Sequence, residues 1–111
     1  MVIKEEILKN QNNFILLCKS HNVKYLYAFG SSVSGEFNPN KSDIDLLVEI
    51  DSNDPVDRGE KLLSLWDLFE ALFKRKVDLL TESSVRNPFL RKSIDSTKVL
   101  IYDGSDQKVL I

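Results

Sequence analysis

The stretch Tyr27–Ile50, YAFGSSVSGEFNPNKSDIDLLVEI, decides how this chain folds. It reads as an apolar strand, a Gly-Ser turn, a polar loop, and then Asp-Ile-Asp opening a second apolar strand. Side chains alternate faces along a strand, so Asp43 and Asp45 point the same way and Ile44 points to the opposite face. Two carboxylates on one face repel each other and lose hydration unless something positive sits between them. A divalent metal is the natural partner, and a Gly-Ser turn that exposes backbone N–H groups is a natural phosphate cradle. Metal and phosphate together point to nucleotidyl transfer.

Working upstream, Val23–Phe29 is rich in aromatic and β-branched residues and reads as the first strand, ending at Gly30-Ser31. Before it, one helix is expected over Ile3–Ser20, with Ile3, Ile7, Phe14, Leu17 and Cys18 near one face and Asn10 weakening its middle. His21-Asn22 reads as its exit, with His21 at the surface. Downstream of Gly30, residues Ser31 to about Gly35 form a short helical turn, and Glu36–Lys41, with its Asn-Pro-Asn, is a loop. The run Leu46-Leu47-Val48 in the second strand, Ile44–Ile50, predicts burial on both faces. Asp51–Asp57 reads as a solvated connection.

A helix follows over about Val56–Lys74, with Leu62, Leu65, Trp66, Phe69, Leu72 and Phe73 in one apolar stripe that Leu63 and Leu68 widen. Its breadth suits packing on the sheet, with a partner surface as the alternative use. Lys76–Leu80 is a third strand whose only acid, Asp78, interrupts apolar neighbours. Such an acid is costly unless paired or at an edge, which makes Asp78 the natural third carboxylate. A last helix at Pro88–Ser93 and an edge strand at Val99–Tyr102 complete the series. The expected fold is a mixed α/β sheet of about four strands, the first two antiparallel, with helices packed on one side.

A chain of 111 residues with 42% apolar and 29% charged residues suits one domain, taken as 1–104, with 105–111 as a tail either disordered or docked as an extension. A net charge of -2 argues against nucleic acid as a partner, since proteins that grip it through the backbone carry a basic excess. Cys18, the single cysteine, reads as a small core residue. No run reaches membrane-spanning length, and the expected location is the cytoplasm.

Gly30-Ser31, the loop, Asp43-Ile44-Asp45, and Asp78 on the next strand together resemble the nucleotidyltransferase superfamily that includes DNA polymerase beta. At this size the chain is most similar to the minimal nucleotidyltransferases, often encoded beside a HEPN-domain protein as toxin–antitoxin pairs. The resemblance implies that Gly30 and Ser31 meet the β- and γ-phosphates of ATP, with Ser42 also touching phosphate. It further implies that Asp43 and Asp45 hold two Mg2+ ions, and that Asp78 binds the catalytic one and helps activate the nucleophile. The implied reaction is transfer of AMP from ATP to a hydroxyl, a Tyr of the HEPN toxin, which makes this chain the antitoxin. Neutralisation by contact alone is the alternative from another class. Transfer to a small molecule is a third, in which a homodimer would close the pocket.

Two departures from the family pattern stand out. Eleven residues separate Ser31 from Asp43, one more than the family spacing. Ser32 and Ser34 occupy positions where relatives often carry Arg, leaving Lys41 or the Lys74-Arg75-Lys76 cluster as replacement cations. Taken alone, Asp43 and Asp45 read equally well as a solvated strand entry; Gly30-Ser31 before them and Asp78 after them favour a site.

Overall fold

The computed structural model describes residues 2–33 and 43–111. Helices α1 (Val2–Lys9) and α2 (Gln11–Ser20) lead into strand β1 (Val23–Phe29), a 3-10 turn (Gly30–Ser32) and strand β2 (Ile44–Ile50). Helix α3 (Pro55–Phe73), strand β3 (Val77–Leu80), a second 3-10 turn (Glu82–Ser84), helix α4 (Pro88–Thr97) and strands β4 (Val99–Asp103) and β5 (Lys108–Val109) follow.

The strands form one mixed sheet in the order β3-β2-β1-β4-β5. β2 and β3 are parallel, as a pair joined by a crossover helix can be, and the other neighbours are antiparallel. The expected sheet thus gains a fifth strand. Residues Lys108 and Val109 pair with Asp103 and Tyr102, so the tail docks as an extension.

The expected single helix over Ile3–Ser20 is two helices. The backbone of Asn10 leaves the helical region at φ -136° and ψ 36°, and its carbonyl restarts the ladder by accepting from Phe14 N–H at 2.9 Å. Asp54 caps α3 by accepting from Val56 N–H at 3.0 Å, and Pro55 fits the first turn, where no N–H is needed. Lys74, left-handed at φ 54°, ends it. Asn87 and Pro88 start α4 in the same way, with the Asn87 side chain accepting from Phe89 N–H at 2.8 Å.

Strand alternation divides the molecule into two cores. On one face Leu26, Ala28, Leu46, Val48, Val77 and Leu79 meet α1, α2 and α3. At its centre Phe14 stacks on Phe69 with centroids 5.6 Å apart and meets Tyr102 edge-on at 6.3 Å. Cys18 is buried here, as its sequence context implied, and burial pushes its thiol pKa up. On the opposite face Phe29 and Leu47 pack with Val85 and with Ile94 of α4, so the last helix lies on the other side from the first three.

His21 does end α2, but its expected surface position is corrected. It is only 9% exposed, because its Nδ1 donates to the Leu17 carbonyl at 2.8 Å and its Nε2 lies 2.9 Å from Ser64 Oγ. The ring ties α2 to α3. Trp66 of α3 donates its indole N–H to the Val77 carbonyl, whereas Leu63 and Leu68 remain exposed. Among the described residues, no helix is long and apolar enough to cross a membrane.

Candidate active site

Register brings the carboxylates to one place. Asp45 is the cross-strand partner of Asp78 in the parallel pair and of Phe29 in the antiparallel pair. Paired residues share a face, so Asp45 and Asp78 lie on the face that also holds Phe29, Leu47 and Leu80. Asp43 sits one step before β2, two residues from Asp45, and its charge is felt there. Burial, then the neighbouring Asp78, then Asp43 raise the Asp45 carboxyl from an ordinary 3.8 to about 6. Two acids, Asp43 just before β2 and Asp78 on β3, therefore act electrostatically on the Asp45 carboxylate.

The Gly-Ser turn is held against that carboxylate. Gly30 has φ +62°, a conformation that side chains with a Cβ rarely adopt, and a Cβ there would lie 2.9 Å from Asp45 Oδ2. The conformation favours glycine, and a side chain there would displace the Asp45 carboxylate. Two hydroxyls then fix the turn. Ser32 is fully buried, and its Oγ accepts from the Asp45 backbone N–H at 2.9 Å. Thr97, at the end of α4, accepts from Gly30 N–H at 3.0 Å while donating its own hydroxyl proton to the Ser93 carbonyl at 2.7 Å. Gly30 thus contributes its conformation to the site, its N–H being taken up by Thr97. Ser31 follows it in the turn, half-buried.

Ser42, Lys41 and Ser34 lie outside the described residues. In the Lys74–Lys76 cluster, Arg75 pairs with Glu6 of α1 at 3.9 Å, Lys76 lines a hollow shared with Asp67 and Glu70, and Lys74 is exposed at the end of α3. A larger cavity of about 580 Å3, lined by Ile50, Ser52, Arg58 and Thr81 among others, opens at the far end of β2 from the carboxylates. Among the described residues, no three or more His, Cys, Asp or Glu side chains are drawn tightly enough together to chelate a metal as they stand. The chemistry of the donor set nonetheless fits a hard divalent cation. It is all oxygen and anionic, and Asp78 and Asp43 add to the burial that raises the proton affinity of Asp45, a strain that a cation between them would relieve.

Asp43, Asp45, Asp78 and Gly30, expected together from the sequence, are neighbours here, whereas Ser32 and Thr97, which hold the turn, carry no such signal in the sequence. Thr97 lies 67 positions from Gly30, and nothing local marks it. Ser32 was read only as a missing Arg; its burial follows from the turn folding back onto β2.

A family model described as the nucleotidyltransferase domain matches residues 12–101. A Methanocaldococcus jannaschii protein named "Putative protein adenylyltransferase MJ1379" is 35% identical over 99 residues, covering 89% of this chain and 94% of its own. Among solved structures, one described as a toxin–antitoxin with AMP-PNP superposes with a TM-score of 0.60 at 25% identity, covering 88% of this chain and 77% of that one. Another, described as a putative minimal nucleotidyltransferase, gives 0.57 at 29% identity, with 85% and 92% covered.

Proposed function

The chain belongs to the nucleotidyltransferase domain family, and on that premise we propose that it moves AMP from ATP to a hydroxyl of a partner protein. The observation that carries the reading is the convergence of Asp43 and Asp78 on Asp45, beside a left-handed glycine turn where a Cβ would meet the Asp45 carboxylate. Adenylyl transfer to protein is further supported by the relative named as a protein adenylyltransferase. The toxin–antitoxin structure with AMP-PNP supports a toxin as the partner. The proposed acceptor is a Tyr of a HEPN-domain toxin, with this chain as the antitoxin, acting in the cytoplasm.

Asp43, Asp45 and Asp78 are the residues that would hold two Mg2+ ions. When bound, such ions neutralise triphosphate charge and lower the pKa of an attacking hydroxyl. The chain's own residues do the rest. Gly30 shapes the turn, Ser31 within it and Ser42 before Asp43 contact phosphate, and Ser32 and Thr97 keep the turn in register with Asp45. The acceptor oxygen bonds to the α-phosphorus as the bond to the α,β-bridging oxygen breaks. Pyrophosphate leaves, and the hydroxyl proton passes to the Asp78 side. Positioning and electrostatics account for most of the rate, as in phosphoryl transfer generally.

A second reading is neutralisation of the partner by contact alone. The exposed Leu63 and Leu68 on α3, and Ser32 where relatives often carry Arg, motivate it. One experiment separates the two: the purified pair incubated with labelled ATP and Mg2+, alongside Asp43→Ala/Asp45→Ala. Label that moves to the partner only with the wild-type chain supports transfer. An Asp variant that still suppresses its partner at a stoichiometric ratio, with no label moved by either chain, supports contact.

A further inference from the structure

Of the candidate replacement cations, Lys41 lies outside the described residues. Ser32 is buried against β2, Arg75 pairs with Glu6, and Lys76 lines a hollow with Asp67 and Glu70. The geometry points to Lys98 as the residue that binds the β- and γ-phosphates of the nucleotide, an inference that rests on the nucleotidyl-transfer reading above.

Three placements carry it. Val99 pairs with Ala28, so Lys98, the extended residue that joins α4 to β4, comes level with Phe29, which is itself paired with Asp45, which is paired with Asp78. Asp78, Asp45, Phe29 at the mouth of the turn, and Lys98 at the entry to β4 thus lie in one row. At one strand spacing per step, the Lys98 and Asp45 backbones are about 10 Å apart, with the Gly30 turn between them. Lys98 also uses the same face as the acids. Its ammonium lies 5.2 Å from the centroid of the Tyr27 ring, and Tyr27 packs with Phe29 and Leu47 on that face. Finally, Lys98 directly follows Thr97, whose hydroxyl holds Gly30 N–H. The bond that fixes the turn therefore also fixes where this lysine starts.

In the free protein the ammonium is shared between the Tyr27 ring and Asp95, whose Oδ1 is 3.7 Å away, at a site where the lysine side chain is 33% exposed. Exposed pairs of this kind are weak, and a polyphosphate carrying several negative charges competes with them readily. The long, flexible stem lets the charge swing without moving the strand. A lysine acting as a point charge suits the mobile end of a triphosphate.

The test is direct binding of ATP, ADP and AMP in Mg2+ without any acceptor protein, read by calorimetry. Lys98→Gln should weaken ATP on the order of ten- to a hundredfold, the range for losing a charge-assisted contact. AMP binding should change less than twofold, and Lys98→Arg should recover most of the loss. Asp95→Asn, which removes the competing carboxylate, should tighten ATP, and Lys92→Gln, an exposed lysine elsewhere on α4, should leave it unchanged. ATP bound equally by wild type and Lys98→Gln would overturn the assignment of Lys98 while leaving the functional reading intact. A wild-type protein that binds no ATP would overturn both.

Discussion

Replacing Asp45 by Asn should make the protein more stable and inactive at once. The Asp45 carboxyl is raised from 3.8 to about 6 by burial and by Asp78 and Asp43. An acid raised in this way binds its proton more tightly folded than unfolded. Between about pH 4 and pH 6 the folded state therefore holds more protons, and stability falls as pH rises through that window. Above it the whole penalty is present. At about 1.36 kcal/mol per tenfold change in proton affinity, the ceiling is about 3 kcal/mol, and the partial exposure of Asp45 screens this to about 1–2 kcal/mol. Asn keeps the shape and removes the charge. At pH 8 with a chelator present, Asp45→Asn should melt about 4–8 °C above wild type, and at pH 4 the two should nearly coincide. Added Mg2+ should then raise the wild type by ligand linkage and leave the variant unmoved. A variant equal to or less stable than wild type at pH 8 would refute the claim that burial and two neighbouring acids penalise the Asp45 charge.

Three other outcomes follow from particular contacts. Gly30→Ala should lose about 2 kcal/mol in denaturant titration and all nucleotidyl transfer, because its left-handed φ and the Asp45 Oδ2 atom 2.9 Å from a Cβ both oppose the side chain. Phe14→Ala should lose about 3–5 kcal/mol, since it removes the ring that joins Phe69 and Tyr102 in the fully buried centre. Cys18 should resist alkylation at pH 8 in the native protein and react on unfolding in urea, because the thiol is buried and its pKa is raised.

Local chemistry made the strand–turn–strand at Tyr27–Ile50 legible. Alternation placed Asp43 and Asp45 on one side, and Gly30-Ser31 marked the turn. Asp78 was recoverable for a related reason: a lone acid inside an apolar strand requires an explanation, and its register opposite Asp45 is that explanation. The break at Asn10 was foreshadowed by the polar run around it, although helical periodicity on both sides argued for continuity. What could not be read was long-range. The hydroxyl of Thr97 reaching Gly30, the row that aligns Lys98 with the acids, and the pairing of Lys108–Val109 onto β4 all depend on strand order. Strand order is set by how two faces of a sheet are covered, and one linear pattern does not encode it.

The most direct test of the central claim, that Asp43, Asp45 and Asp78 form one divalent-cation site beside the Gly30 turn, is a crystal structure with Mn2+ and a non-hydrolysable ATP analogue. Anomalous density between the three carboxylates, with the analogue's phosphates against residues 30–32, is the predicted result. Manganese bound elsewhere, or the analogue seated in the cavity near Arg58 and Thr81 at the far end of β2, would contradict it.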